Sequence, residues 1–384
     1  MEHQMLNQVR VIEIGQAFSA PFAAEILGFL GAEVIKIERP GGDDTRGWGE
    51  HYKDGSSITF HMVNRNKKSV VLDLKDSQDK ARLDELIGTA DVFVHNLRPG
   101  SAENLGLGSE TLCKRFPRLI YAELGAFGHV GPKRHEAGYE MLMQAFSGIM
   151  SITGETDGIP VRSGPSICDF GSGMWLALGV VAALNQRFQT GKGCVVNTSI
   201  YETALNWLLV ASGDYLAYGR SPVRGGNGHP AIVPYGLFQT KDGALILGAG
   251  NDRLFAKLLK VFNREDLLDN PRFQTNAVRV RNRKLVEGEI AAIFVNETTQ
   301  HWISALTEAD VPCSALQTVP EALEHPQTKA LKILQATHDH PELRFIGMPL
   351  SFNGERPELR TTAPSAGEDT EEVLGLLGMN ASAS

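Results

Sequence analysis

The sequence predicts an α/β protein, with a large Rossmann-like domain on a parallel sheet and a smaller α+β domain. Three observations point there. Residues 9–37 read as strand, helix and strand in immediate succession. Further β-rich segments then recur with helical stretches between them. Across residues 219–234 the texture changes to Gly, Pro, Arg and His, marking a crossover into a second body. At 384 residues the chain also exceeds the roughly 250–300 at which one hydrophobic core stops growing.

Each element has a local reason. Residues 9–14 alternate and are β-rich. Pro21 suits the first turn of a helix running to about Leu30, Gly31-Ala32 breaks it, and residues 34–37 form the next strand. Strand, helix, strand in so short a stretch is a βαβ unit, whose strands lie parallel. Further strands are expected at residues 70–74, 92–95 and 119–123. They end near Lys75, near Asn96 and Arg98-Pro99-Gly100, and near Gly125; ligands of open α/β sheets sit beyond strand carboxyl ends, so these residues should face one crevice. The apolar run 174–188 reads as a buried helix stopped by Thr190-Gly191-Lys192-Gly193. Residues 235–240 and 244–248 read as a hairpin about Asp242-Gly243. Helices are expected over 253–306, short strands and loops after Pro312, and an amphipathic helix near 371–377. The smaller domain is placed at 219–320, after a first part of the large domain at 1–218.

Composition narrows the function classes. A net charge of −8 argues against nucleic acid or an anionic membrane as partner. Cys113, Cys168, Cys194 and Cys313 form no CxxC pair, which reads as reduced and cytoplasmic. The N-terminus lacks a charged-then-apolar signal pattern, and the apolar run 174–184 falls short of the about 20 residues a membrane span needs. A soluble cytoplasmic protein is expected. The histidines make no HExxH, and His338-Asp339-His340 has no partner at metal-ligand spacing, so no metal is expected.

Glu38, just past the second strand, stands where a dinucleotide fold binds a ribose hydroxyl. The preceding turn, Gly15-Gln16-Ala17-Phe18-Ser19-Ala20, is not GxGxxG, so the Rossmann-like topology is kept and the nicotinamide reading is dropped.

Four segments have chemistry as one of two readings. Asp169 is either a helix N-cap, contributing about 1 kcal/mol, or a carboxylate nucleophile at the positive end of a buried helix, and the local sequence does not decide. Tyr139-Glu140 is either a core Tyr with a surface Glu, or a hydroxyl and a carboxylate placed near a reacting carbonyl. Residues 64–68 (Asn-Arg-Asn-Lys-Lys) are a solvated basic turn or an electrostatic hold on phosphates. Gly248-Ala249-Gly250-Asn251-Asp252 is a capped strand-to-helix turn or a glycine loop that closes over substrate.

In order, residues 9–49, 63–75, 91–108, 125–132, Gly138-Tyr139-Glu140, 147–155, the Asp169 segment and 226–243 resemble the class III CoA-transferase family, which includes formyl-CoA transferase and the carnitine CoA-transferases. The resemblance covers nearly the whole chain. It implies that residues 321–384 return to complete the large domain and that two subunits interlock as a homodimer. It implies acyl-CoA and a small carboxylic acid as substrates, with coenzyme A carried as co-substrate. Asp169 would attack the thioester and carry CoA as an aspartyl thioester, with oxyanions met by N–H groups near residues 171–173 or in the loop holding Gly248 and Gly250. CoA would contact Ala17, Phe18, Arg39, the Leu72–Lys75 segment, Asn96, Leu97 and Arg98.

Some positions depart from the family pattern. Asn104 stands where members often carry Arg, and Ala137 and Phe18 stand where formyl-CoA transferase has Lys and Gln. The α-methylacyl-CoA racemases share the fold and the aspartate but need a His where Tyr139 stands; a phenol titrates near 10 and an imidazole near 6.5, so proton exchange at neutral pH is disfavoured. A non-catalytic acyl-CoA-binding protein is the other alternative. The sequence looks closest to members using short dicarboxylates, with Arg46, Asn227 and His229 as candidates to hold a second carboxylate.

Overall fold

The computed structural model describes residues 4–52, 55–338 and 340–381, with side chains to 377. Met1–His3 and Asp339 of the His338-Asp339-His340 run lie outside the described residues. The chain divides into two compact units, residues 1–149, 163–213 and 327–384 forming one and 150–162 and 214–326 the other.

The first unit is built on six parallel strands: β1 (Arg10–Ile14), β2 (Glu33–Glu38), β3 (Lys67–Val71), β4 (Val92–His95), β5 (Ile120–Gly125) and β6 (Val195–Ser199). Their order is β3-β2-β1-β4-β5-β6, the doubly wound arrangement. β3 starts earlier than expected because its register against β2 runs from Val34↔Lys67 to Glu38↔Val71. β6 was not anticipated; its signal was the β-branched Val195-Val196 just after a helix stop. Gly193 feeds that strand past β5, where a Cβ would fall 2.0 Å from the Leu119 carbonyl oxygen.

The pleat sorts side chains by period two. Val11, Val34, Val92 and Val94 face one core, with α1 (Ser19–Phe29) and a 24-residue helix, Ile167–Thr190. Ile12, Ile35 and Phe93 face the other, with α2 (Ser77–Gly88). With that 24-residue helix, labelled α4, two further helices complete the surroundings of the site: α3 (Glu140–Ser147) and α5 (Ile200–Trp207).

α4 begins well before the expected residue 174, because Gly171 and Gly173 are packing positions inside the helix rather than loop signals. A Cβ on Gly173 would lie 2.6 Å from the Ser19 carbonyl oxygen, and one on Gly179 would lie 2.6 Å from Val196 Cγ1. Nor is the helix buried all round. Leu176, Ala177, Val180 and Ala183 face the core, while Met174, Trp175 and Leu178 are exposed. By length and composition alone α4 would span a bilayer, but half of its most apolar window is buried as a core helix is.

The C-terminal segment covers the β3 edge. Asn66 Oδ1 accepts from the backbone N–H groups of Arg360 and Thr361, Asp369 Oδ2 from Ser69 N–H, and Thr370 Oγ1 from Val71 N–H. α6 (Thr370–Ala381) follows. The second unit carries the antiparallel strands Tyr235–Gln239, Ala244–Gly248 and Cys313–Ala315, packed on amphipathic helices through Phe255, Leu258, Ile290 and Phe294.

The crossing of α1 and α4 allows no side chain at Gly173. Gly173→Ala is expected to lower unfolding free energy by about 1–3 kcal/mol and to cost activity, read by urea melts and turnover.

Candidate active site

Asp169 is the third residue of α4, inside its first turn, so it is not the residue before the helix that an N-cap would be. The cap comes from elsewhere in the chain. Glu140, opening α3, accepts from Asp169 N–H through Oε2 at 2.8 Å and from Cys168 N–H through Oε1 at 3.3 Å. Gln144 Nε2, one turn along α3, donates to Glu140 Oε1 at 2.6 Å and fixes that carboxylate. Ile167 N–H donates to the Pro165 carbonyl, so the first three N–H groups of α4 are satisfied, and Phe170 N–H opens the helical ladder on the Ser166 carbonyl. Gly171 and Gly173 lie beyond them, where N–H groups belong to the helical ladder. The N–H groups near residues 171–173 are therefore not aimed at a ligand. Gly171 instead admits α5, since a Cβ there would sit 2.7 Å from Trp207.

The Asp169 carboxyl is buried, at 8% exposure. Its Oδ1 accepts a 2.7 Å hydrogen bond from Ser19 Oγ; its Oδ2 has no hydrogen-bond partner among the described residues. Burial pushes its pKa up to about 6, the Ser19 hydrogen bond pulls it down, and the nearby Glu140 charge pushes it up. Such a carboxylate is mostly ionised at neutral pH, more basic than an exposed one, and oriented with one oxygen open. Burial, Glu140 and Asp169 together push the neighbouring Cys168 thiol up to about 12, which makes it a poor competitor as nucleophile. Around the carboxyl, Phe18 packs edge-on to Trp48 and against Phe170. Ser19 is the site residue that sequence reasoning missed; its only signal was a hydroxyl at the start of the helix after β1.

A cavity of about 270 Å³ opens at the carboxyl ends of β1, β2 and β3, lined among others by Arg39, Gly42, Leu72, Lys75 and Leu97. Four of the residues expected to meet CoA thus share one wall. Asn96 does something different: it pins the β1 turn, donating through Nδ2 to the Gln16 carbonyl and accepting from Gln16 N–H. Ala17 holds the left-handed conformation at φ 60°, and Arg98 is exposed beyond β4. A larger cavity, about 860 Å³, lies among Gln4, Phe29, Lys332 and Arg356 and shares no residue with Asp169 or its partners.

Several expected ligand groups are already engaged. Asn64, Arg65, Asn66 and Lys67 are buried, not a solvated turn, and Arg65 and Lys67 are ion-paired with Glu25 and Glu13, which leaves neither for phosphates. Arg46 grips Glu38 through two nitrogens and lies 3.7 Å over the Phe60 ring, so it neither sits on the surface nor stands free for a carboxylate. Glu38 also accepts from Ser69 Oγ, which removes it as a ribose ligand. Asn227 and His229 hold turns of the second unit, accepting from Leu237 N–H and Ala231 N–H. Tyr139 is 65% exposed just before α3. Gly248 ends a strand of the second unit, and Gly250 is required there because a Cβ would lie 1.8 Å from Ile232 Cγ2.

The model of CoA-transferase family III matches residues 6–370. The chain is 35% identical to mouse succinyl-CoA:glutarate CoA-transferase over 96% of its own length and 85% of that protein's. It is 38% identical to acetyl-CoA:oxalate CoA-transferase of Acetobacter aceti, covering 93% and 92% respectively. The crystal structure of a CaiB/BaiF family protein from Brucella suis superposes with a TM-score of 0.86 at 31% identity, over 97% of this chain and 98% of that one.

The Asp169 pKa lies above the unfolded value near 3.9, so its contribution to stability is fully present below about pH 4 and is lost as pH rises through about 6. Asp169→Asn is expected to gain about 2–3 kcal/mol of stability at neutral pH while losing turnover. Unfolding measured at pH 4.5 and 7 should show the gain about threefold larger at the higher pH.

Proposed function

The chain belongs to CoA-transferase family III, and on that premise we propose that Asp169 is its covalent nucleophile and that its acceptor is a short dicarboxylic acid. The enzyme transfers CoA from an acyl-CoA to a free acid. The observation that carries the nucleophile assignment is the buried carboxyl itself, one oxygen held by Ser19 and the other unbonded among the described residues.

In the first step an Asp169 oxygen attacks the acyl carbonyl, the C–S bond breaks, and CoA leaves as thiolate from a mixed anhydride. The thiolate attacks the Asp169 carbonyl carbon and the donor acid departs with the anhydride oxygen. This leaves an aspartyl-CoA thioester. The acceptor carboxylate then attacks that thioester, thiolate leaves, and thiolate attack on the acceptor acyl carbon restores the Asp169 carboxylate. A carboxylate is a weak nucleophile, so burial and orientation supply the advantage. The Cys168 and Asp169 N–H groups are committed to Glu140, so for oxyanion stabilisation we keep the candidate that the family resemblance offers, the loop of Gly248 and Gly250. The CoA moiety is assigned to the cavity of Arg39, Leu72, Lys75 and Leu97, with Asn96 shaping its rim and Ala17, Phe18 and Arg98 beside it. Among the described residues Arg39 is ion-paired with the exposed Asp44 and donates to the Gly42 carbonyl, contacts that anionic phosphates displace at little cost. Tyr139 contributes its exposed hydroxyl, and Glu140 keeps the helix end and the nucleophile in place.

Relatives named for glutarate and oxalate support the dicarboxylate reading. We further propose that the enzyme works in the cytoplasm as a homodimer, its two-unit chain interlocked with a second copy. Met141, Leu142 and Phe146 on α3, and Met174, Trp175 and Leu178 on α4, are exposed apolar side chains that a second copy would cover.

Mass spectrometry of product CoA esters, with succinyl-CoA, acetyl-CoA and formyl-CoA offered against short mono- and dicarboxylates, tests the reading. New dicarboxyl-CoA products that vanish in Asp169→Ala are expected; transfer that survives in the variant excludes Asp169 as nucleophile. The acid limb of kcat/KM should fall through about pH 6, and Ser19→Ala should move it upward, since the hydroxyl favours the ionised form.

A further inference from the structure

Beneath the nucleophile lies a set of buried charges that the chemistry above does not use. Glu13 on β1 and Lys36 on β2 are register partners, and with Lys67 at the start of β3 they are buried side by side. Lys36 Nζ donates to Glu13 Oε1 at 3.0 Å and to the Gly15 carbonyl at 2.7 Å, and is ion-paired with Asp43 Oδ2 at 3.0 Å. Lys67 Nζ donates to Asn64 Oδ1 at 2.8 Å and to the Pro21 carbonyl at 2.8 Å, and is ion-paired with Glu13 Oε2 at 2.8 Å. Each ammonium thus makes two hydrogen bonds and one further ion-pair contact, the latter to Asp43 Oδ2 for Lys36 and to Glu13 Oε2 for Lys67.

The two carbonyls so gripped bracket a short segment. Between Gly15 and Pro21 lie Ala17, in the left-handed conformation that a Cβ disfavours, and Ser19, whose hydroxyl holds Asp169. Gly15 leaves room for the clamp, because a Cβ there would lie 2.8 Å from Glu13 Oε1. Buried ion networks cost desolvation and add little stability over apolar packing of the same shape, so one that spends both its cations on neighbouring carbonyls of one strained turn calls for a role other than stability.

We infer that Glu13, Lys36 and Lys67 form a clamp that positions the turn of residues 15–21, so that Ser19 holds Asp169 in its reactive orientation. They are positioning residues, touching no substrate. The inference rests on the reading of Asp169 as nucleophile. The groups that face the Asp169 carboxyl are Ser19, Glu140 and Cys168, and of these Ser19 is the one the clamp places.

The test is the paired variant E13Q/K67M, which removes one charge of each sign and leaves Lys36 with Asp43. It is measured in the intact enzyme beside Ser19→Ala and Asp169→Asn. The clamp requires kcat to fall at least thirtyfold, KM for acyl-CoA to stay within threefold, and the acid limb of the pH profile to move upward as it does in Ser19→Ala. A folded E13Q/K67M with kcat and acid limb unchanged overturns it. Should the pair not fold, Asn64→Ala, which removes one acceptor of Lys67, must move the limb in the same direction, and an unmoved limb there overturns the clamp. Activity retained in Asp169→Asn defeats the nucleophile reading itself; activity lost there, with Ser19→Ala shifted and the clamp variants unshifted, defeats the clamp alone.

Discussion

The close crossing of α1 and α4 at Gly173 sets the distance on which the site depends. With no Cβ at that position the Ser19 carbonyl approaches the second helix directly, and one turn earlier on α4 the Ser19 hydroxyl reaches the Asp169 carboxyl. A wider separation would break that hydrogen bond and admit water between the helices. Gly171 and Gly179 serve the same end, letting α5 and β6 close on other sides of α4. The glycines near Asp169 thus act through packing, and their space is filled by neighbouring protein.

Burial then does two opposed things. It raises the energy of the Asp169 carboxylate, which makes that group a better nucleophile and the folded chain less stable at neutral pH. Elsewhere buried charge is matched: Glu25 with Arg65, Glu38 with Arg46, and Glu13 and Asp43 with two lysines. Asp169 alone among these carboxylates has a hydroxyl and no cation within bonding reach among the described residues, and its nearest charged neighbour is the like-charged Glu140. An arrangement that withholds a counter-ion from one buried carboxylate while supplying it to the others suits the nucleophile role proposed for Asp169.

The relatives' names place glutarate and oxalate on one family scaffold, and on the proposed reading acceptor choice lies in the side chains around Asp169. Phe18, packed on Trp48 and Phe170, gives this chain an apolar wall where formyl-CoA transferase carries an amide. Arg46 has no part in that choice, being locked to Glu38.

Much of the architecture was legible in the chain itself. Period-two alternation in 9–14 and the βαβ spacing around Pro21 and Gly31 specify a parallel sheet through local sterics and hydrophobic patterning, and the ordered motifs identify the family. What the sequence left open turned on contacts between residues far apart. Local sequence left Asp169 open between cap and nucleophile, because only folding reveals that Glu140, 29 residues earlier, caps the helix in its place. The run 64–68 read as a solvated basic turn or a phosphate hold, because local composition carries no trace of the carboxylates of Glu13 and Glu25 waiting on other elements. Charge and polarity are written in the sequence; which charge meets which, and in what dielectric, is decided only when the strands and helices pack.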